Sequence, residues 1–303
     1  MKNTLVKATT DDGSIRLIAV LTTEAANEAK ERHSLSFITS VLLSRAMSAG
    51  LILASSMKVK QGRVTIKIQS DGPLKGLYVD AGKNGTVRGY VGNPTLELDL
   101  INTSNNKPYF NFSKAVGQGY LHVTRDNGQG EPFTSTVEII EGGIGEDIAS
   151  YLLHSEQTKS AVLVGEKIEH NKIVCSGALM AQVLPKAKEN NLLINQLSEE
   201  CKKISNFSEI LSESRNNLPD LFSNLFPSLS NQGIRILEIN NAIHFNCRCS
   251  MQRCISALQL LGRKELIEIL NEDKKSELTC KFCSSRYLID ENMLISIIKE
   301  MND

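Results

Sequence analysis

The stretch that decides the C-terminal part of this chain is NCRCSMQRC at residues 246–254, followed by TCKFCSS at residues 279–285. The two stretches carry five of the seven cysteines, and no cysteine precedes Cys175. The N-terminus lacks the continuous apolar segment of a secretory signal, so we expect a cytoplasmic protein. Thiols stay reduced in that compartment, and clustered cysteines there indicate metal binding or redox chemistry before structural disulfides.

The cysteines form two closely spaced pairs, Cys247 with Cys249 and Cys280 with Cys283. Residues two apart in an extended chain project to the same side, so a C-x-C pair can present both sulfurs to one ion. A C-x-x-C turn supplies a second chelating pair. Two such pairs on either side of a short helical insert predict a closed, tetrahedral Cys₄ zinc site of one ion per chain. An iron–sulfur cluster is the main alternative for a set of thiolate ligands.

Three cysteines stand outside this pattern. Cys254 lies in a predicted helix from Met251 to Gly262. It could be an alternative metal ligand, but we favour a role in helix packing. Cys175 and Cys201 match no ligand spacing, and we interpret both as packing residues, because free cysteine behaves as a small apolar side chain.

The predicted site also suggests a switch. A C-terminal segment of about 57 residues is marginal as a folding unit, because so small a core buries little surface. Zinc binding by such segments is worth on the order of 10–16 kcal/mol, so loss of the metal should unfold the segment. A disulfide sulfur is no longer a thiolate ligand, and both pairs are close enough in sequence to oxidise. The arrangement therefore favours redox control of local folding.

Residues 1–185 are predicted to form one α+β domain. Many strand patterns are interspersed with a few helices, which favours α+β over a strictly alternating βαβ fold. The apolar run Phe37–Met57 carries Arg45 at its centre and five serines, so we predict a buried helix and no membrane span.

Residues 186–242 are predicted to be a helical linker, and residues 243–303 the zinc-binding domain. The linker has an apolar stripe at helical spacing, composed of Leu218, Leu221, Phe222, Leu225 and Phe226. This stripe either docks permanently on the first domain, the interpretation that we favour, or is covered in one state and uncovered in another.

Charge argues against nucleic acid as a partner. The chain has 34 Lys+Arg and 34 Asp+Glu, and phosphate binding depends on a cationic surplus. A constitutive zinc-ribbon-like interaction or nucleic-acid-binding module is nevertheless the alternative to the switch.

No enzyme is expected, because the common nucleotide-binding, metalloprotease and nucleophile-elbow motifs are missing from the sequence. A zinc deaminase would need H-x-E followed by P-C-x-x-C. His154-Ser155-Glu156 imitates the first half, but Thr279 replaces the required proline and the halves lie far apart. We interpret His154 as a helix-end residue and His244, three residues before Cys247, as a surface residue rather than a group supporting the metal ligands.

The chain resembles the redox-regulated bacterial heat-shock chaperone family of about 33 kilodaltons, the 33 kDa chaperonins, over essentially its full length. The most specific element is the terminal C-x-C…C-x-x-C pattern. Further matches are Gln69–Leu74, Val87–Tyr90, Gly119–Leu121 and Tyr151–Gln157. The chain departs from the family at Ser284, where Asn or Gly is common after the last cysteine, and at Ser176-Gly177, where paired glycines are common.

The resemblance implies a nucleotide-independent holdase with a layered β/β/α first domain. It implies that Cys247, Cys249, Cys280 and Cys283 bind zinc in a reduced, inactive state. Oxidation would form the redox-active disulfides Cys247–Cys249 and Cys280–Cys283 and expel zinc. The C-terminal domain and linker would then unfold, and a homodimer would bind unfolded client proteins under oxidative stress.

Overall fold

A computed structural model describes residues 3–102 and 108–301. The chain divides between Asn246 and Cys247 into two compact units, which we call the N-terminal unit and the C-terminal unit. The predicted division into 1–185, 186–242 and 243–303 follows changes in sequence character, and it stays a prediction about which parts behave independently.

The described part of the N-terminal unit mixes strands and helices. Its strands are β1 Thr4–Thr10, β2 Ile15–Leu21, β3 Arg63–Ser70, β4 Leu77–Gly82, β5 Thr86–Val91, β6 Ile101–Asn102, β7 Pro108–Tyr109, β8 Gly119–Asp126, β9 Phe133–Glu138, β10 Ser160–Glu169, β11 Lys172–Val183, β12 Ile234–Asn240 and β13 His244–Phe245. Its helices are α1 Thr23–His33, α2 Phe37–Ser55, α3 Phe112–Val116, α4 Gly145–His154, α5 Asn191–Lys203, α6 Phe207–Glu213, α7 Asp220–Leu225 and α8 Pro227–Asn231, with 3₁₀ turns at Pro185–Ala187 and Ser214–Asn216. The predicted α+β class is confirmed.

Most of these strands form two sheets. Within the described residues the first sheet has the order β10-β11-β2-β1-β12, with antiparallel neighbours throughout. The second has the order β13-β5-β4-β3-β8-β9 and is antiparallel except where β13 runs parallel to β5. Strands β2 and β11 are buried on both faces, which identifies the first sheet as a central layer.

Helix α2 packs against both sheets and is almost wholly buried. Gly50 permits its close approach to β4, because a Cβ there would lie 3.1 Å from Val79 Cγ1 and 3.2 Å from Ala81 Cβ. The helix is long and apolar enough to cross a membrane, but 89% of its most apolar window is buried inside the unit. The prediction of a buried helix is confirmed, and its length beyond Ser55 is corrected, since the helix ends there rather than at Met57.

The opposite face of the first sheet is covered by the helices that follow β11. Their apolar side chains, including Phe222 and Phe226, form one buried cluster with Leu17, Leu179 and other residues of the sheet. The predicted apolar stripe is therefore docked on the N-terminal unit in this structure. Strand β12 then returns the chain to the edge of the same sheet by pairing with β1.

The C-terminal unit contains α9 Met251–Gln259, α10 Arg263–Glu272, β14 Ser276–Thr279, β15 Arg286–Ile289 and α11 Glu291–Glu300. Two helix starts follow from the sequence: the Ser250 side chain accepts a hydrogen bond from the Arg253 N–H, and Asp290 accepts one from the Met293 N–H. The apolar core is small, and its buried members among the described residues are Leu258, Leu266, Ile289, Leu294, Ile297 and Ile298.

Candidate metal centre

The first thiol pair lies in an irregular extended segment. Ser250 ends this segment by capping α9, so Cys247 and Cys249 precede the helix directly. Upstream of this pair, His244–Phe245 is a short strand that pairs with β5. The two cysteines that follow have their sulfurs close to those of the second thiol pair.

The second pair occupies the turn of the hairpin between β14 and β15. The Cys280 N–H donates to the Ser285 carbonyl at 2.9 Å, and the Ser284 N–H donates to the Cys280 carbonyl at 2.8 Å. Ser284 has φ +57°, a left-handed conformation that Gly and Asn adopt most easily. Serine therefore occupies this turn position at some cost in strain.

The sulfur atoms of Cys247, Cys249, Cys280 and Cys283 all lie within 4.8 Å of one another. Two of these separations join cysteines of different pairs: the Cys247 and Cys280 sulfurs are 3.7 Å apart and the Cys249 and Cys283 sulfurs 3.3 Å. Zinc–sulfur bonds of about 2.3 Å in a tetrahedron place sulfurs about 3.8 Å apart. The four thiols therefore have the separations of a single four-coordinate metal ion and could hold one.

Two hydroxyl side chains contact the cluster. The Tyr287 hydroxyl donates a hydrogen bond to Cys249 Sγ at 3.0 Å. The Cys283 sulfur and the Ser285 hydroxyl are 3.2 Å apart. Groups of this kind orient metal ligands and tune their basicity.

The surroundings shift the thiol pKa values in different directions. Burial raises the pKa of Cys249, and it raises the pKa of Cys280 to about 12. Burial acts in the same direction on Cys283, but hydrogen bonds with the side chain and backbone of Ser285 outweigh it and bring that pKa to about 7. A bound cation favours the thiolate form at every ligand position, so such a cluster is chemically suited to a metal ion.

Comparison with known proteins places the chain in a family. The family model described as Hsp33 protein matches residues 3–290. The chain belongs to the Hsp33 family. A 33 kDa chaperonin from Prochlorococcus marinus (strain AS9601) is 53% identical over 302 residues, covering 100% of both chains. Another from Acaryochloris marina (strain MBIC 11017) is 41% identical over 301 residues, covering 99% of this chain and 98% of the relative.

The fold agrees with a solved Hsp33 structure. The crystal structure of the 33 kDa chaperonin, a heat shock protein 33 homolog, from Thermotoga maritima superposes with a TM-score of 0.86 at 29% identity. The superposition covers 99% of this chain and 98% of that one. Membership of the Hsp33 family identifies the chain as a member of a chaperone family, not an enzyme family.

The remaining cysteines lie outside the four-thiol group. Cys175 is buried on β11 and Cys201 packs against the same apolar cluster from α5. Burial raises the pKa of each to about 11, so both are poor nucleophiles. Cys254 lies on α9, partly exposed. These positions agree with the packing roles expected for Cys175 and Cys201.

The histidines singled out in the sequence are not members of the metal-binding group found among the described residues. His154 ends α4, as predicted, and Glu156 accepts hydrogen bonds from Arg125 and from the Tyr151 hydroxyl. His244 is exposed, and its ring Nδ1 lies 2.7 Å from the Ala242 carbonyl. The similarity of His154-Ser155-Glu156 to a deaminase motif is therefore one of sequence only.

Sequence reasoning missed Tyr287 and Ser285. Ser285 is two residues after Cys283, so a turn at this position could have indicated that its hydroxyl lies near the Cys283 sulfur. Tyr287 lies on the same face of β15 as the buried Ile289, but a strand of four residues carries too little periodicity to indicate this from sequence.

Proposed function

We propose that this Hsp33-family chain is a redox-regulated holdase in which Cys247, Cys249, Cys280 and Cys283 hold one zinc ion in the reduced, inactive state. The observation that carries the proposal is the closed group of four thiols in a unit with a small apolar core. Sulfurs within 4.8 Å of one another leave room at their centre for a single ion rather than for a cluster of iron and sulfide.

The proposed switch begins with oxidation by a peroxide or a similar oxidant. Each pair of thiolates loses two electrons and forms one S–S bond, while one peroxide takes up two protons and leaves as two waters. Two peroxides therefore convert the four ligands into Cys247–Cys249 and Cys280–Cys283 and release zinc. The four sulfurs lie within 4.8 Å of one another, and an S–S bond is about 2 Å long, so the two sulfurs of each pair must move together as their disulfide forms.

Loss of zinc removes the largest contribution to the stability of the C-terminal unit, since structural zinc contributes on the order of 10–16 kcal/mol. We propose that its unfolding propagates through the adjoining residues to helices α5 to α8. Their undocking would uncover the outer face of the first sheet and the apolar stripe that now covers it. Contiguous apolar surface of this kind binds unfolded client proteins by burial of their apolar side chains.

The proposal also includes a cytoplasmic location, where the resting protein has reduced thiols and bound zinc. It further includes a homodimer as the oxidised form. Neutral charge in the C-terminal part, with nine Lys/Arg and nine Asp/Glu between Cys247 and Asp303, supports client proteins over nucleic acid as partners.

The test compares reduced, zinc-loaded protein with peroxide-treated protein in a client-aggregation assay, alongside zinc release and thiol counts. We expect four thiols lost, one zinc released and aggregation suppressed only after oxidation. Cys254→Ser is the matched control and should retain the switch, whereas Cys280→Ser should lose zinc. Equal activity in both states, or zinc retained after oxidation of the four thiols, would show a constitutive zinc-dependent interaction protein instead.

A further inference from the structure

A tyrosine connects the two halves of the metal centre. The Tyr287 hydroxyl donates to Cys249 Sγ at 3.0 Å, although the two residues are 38 positions apart in the sequence. Cys249 belongs to the segment before α9, and Tyr287 belongs to the hairpin that carries the other thiol pair. The hydrogen bond therefore joins the C-x-C segment to the C-x-x-C hairpin directly, without the metal.

The backbone of β15 fixes this tyrosine. Tyr287 is paired with Leu278 of β14, and Ser276 with Ile289, in an antiparallel register without a bulge. Residues two apart share a face, so the Tyr287 ring lies on the side of the buried Ile289. The Tyr287 side chain is half-buried, and from this face of the hairpin its hydroxyl reaches Cys249 Sγ.

A hydrogen bond donated to a thiolate has two chemical effects. It withdraws electron density from the sulfur and stabilises the anion, which favours retention of a metal ligand. The same withdrawal of electron density makes the sulfur a weaker nucleophile in its attack on an oxidant. In that attack the Cys249 sulfur bonds to one peroxide oxygen, the O–O bond breaks, and the other oxygen leaves as water after protonation. A second thiolate then displaces the sulfenic hydroxyl as water to form the S–S bond.

We propose that Tyr287 is a positioning residue that sets the threshold of the switch. Its hydroxyl holds Cys249 in the four-thiol group and slows both departure of the metal and attack of peroxide on this sulfur. The inference rests on the proposed function for its biological meaning, whereas its effect on the metal site does not depend on chaperone activity.

The test uses the full chain carrying Tyr287→Phe, which keeps the ring and removes the hydroxyl. Reduced, zinc-loaded protein is mixed with a chromophoric chelator, and zinc transfer is followed without oxidant or client. We expect transfer about tenfold faster than in the wild type, the lower end of the effect of removing a ligand's supporting group. Residue-resolved alkylation during peroxide treatment should show Cys249 lost correspondingly earlier.

Tyr120→Phe is the matched control, because Tyr120 is 50% exposed in the N-terminal unit. It should leave zinc transfer unchanged. A second substitution, 3-fluorotyrosine at position 287, makes the phenol a stronger donor and should slow transfer, so the inference stays testable even if the Phe variant folds poorly.

Zinc transfer within twofold of the wild type in both variants at position 287 would overturn the inference. Failure of the redox switch itself would appear separately, as an oxidised wild-type protein that retains zinc or does not bind clients.

Discussion

The Glu166 carboxylate on β10 accepts two hydrogen bonds from the Arg45 guanidinium on α2, at 2.7 and 2.8 Å. This pair satisfies the one charge in the middle of the buried helix, and its side chains are only 17% and 8% exposed. Arg45 also lies over the Phe112 ring, 4.4 Å from its centroid. Arg45, whose charge argued against a membrane span, thus connects the central helix α2 to the first sheet through its ion pair with Glu166.

Removing one partner of this pair should destabilise the N-terminal unit strongly. Glu166→Gln leaves the guanidinium without its counter-charge, and breaking a buried pair in this way costs about 3 kcal/mol or more. Urea denaturation of the reduced protein, monitored by circular dichroism, measures the loss. Glu199→Gln, which breaks an exposed pair with Lys202 on α5, is the control and should leave the midpoint unchanged. Equal midpoints for both variants would contradict the role given to Arg45.

The N-terminal unit should lose stability in acid because of Asp80. Burial acts to raise its pKa, but hydrogen bonds and charge from Arg63 and Arg88 outweigh burial and hold the pKa below the ordinary 3.8. Because the folded pKa is depressed, the stabilisation is fully present above the ordinary value and is lost as pH falls through the folded pKa.

The measurement compares urea midpoints of the wild type and Asp80→Asn at neutral and acid pH. The variant should be less stable at neutral pH, and the difference should shrink below about pH 4. A difference that is constant with pH would contradict the assignment.

The linker stripe should control activity through its docking. Phe222 is fully buried against the first sheet, and truncating such a side chain to alanine costs about 3–5 kcal/mol. Phe222→Ala should therefore weaken docking and give reduced, zinc-loaded protein with aggregation-suppressing activity. Leu192→Ala is the control, because Leu192 on α5 is 71% exposed. An inactive reduced Phe222→Ala protein with an undocked linker would show that the covered surface does not bind clients.

Cys175 and Cys201 should report on undocking. Both pack in the apolar cluster beneath or within the linker helices, and burial raises the pKa of each to about 11. In the reduced native protein they should resist alkylation at neutral pH, and after peroxide treatment they should be alkylated. Mass spectrometry of the digested protein identifies each site. Continued protection of Cys201 after zinc release would mean that the linker stays docked.

Chelation of the metal should unfold the C-terminal unit selectively. Its apolar core is small, whereas the N-terminal unit has extensive clusters on both faces of the first sheet. Hydrogen exchange of chelator-treated, reduced protein should show loss of protection in α9, α10 and α11 and retained protection in α2. Uniform protection across both units would contradict metal-dependent folding.

Much of the fold was predictable where local pattern and burial agree. The period-2 alternation around Val64, Ile66 and Ile68 predicts β3, and the caps at Ser250 and Asp290 predict the starts of α9 and α11. Strand β1 was missed because it is buried on nearly both faces and lacks alternation. It pairs with the nearby β2 and also with β12, which lies more than 220 residues away. Local sequence does not encode such a pairing.

The candidate site shows the same limit. The spacing of Cys247, Cys249, Cys280 and Cys283 in the sequence was enough to predict that they form one group. The structure places their sulfurs together. The contact from Tyr287 could not be predicted, because it depends on where the hairpin lies relative to the C-x-C segment. The short strands β14 and β15 were also missed, since four-residue strands carry too little periodicity to distinguish from a turn.

The pairing of β12 with β1 has a kinetic consequence. Residues 184–233 leave the first sheet at β11 and rejoin it at β12, so the helices between are a closed loop and not a free tail. If they detach while β12 stays paired, they remain tethered at both ends. Their local concentration near the vacated sheet is then in the millimolar range and independent of protein concentration. Return to the covered state after reduction should follow first-order kinetics and compete directly with bound clients, so that the chain itself displaces its clients once zinc is restored.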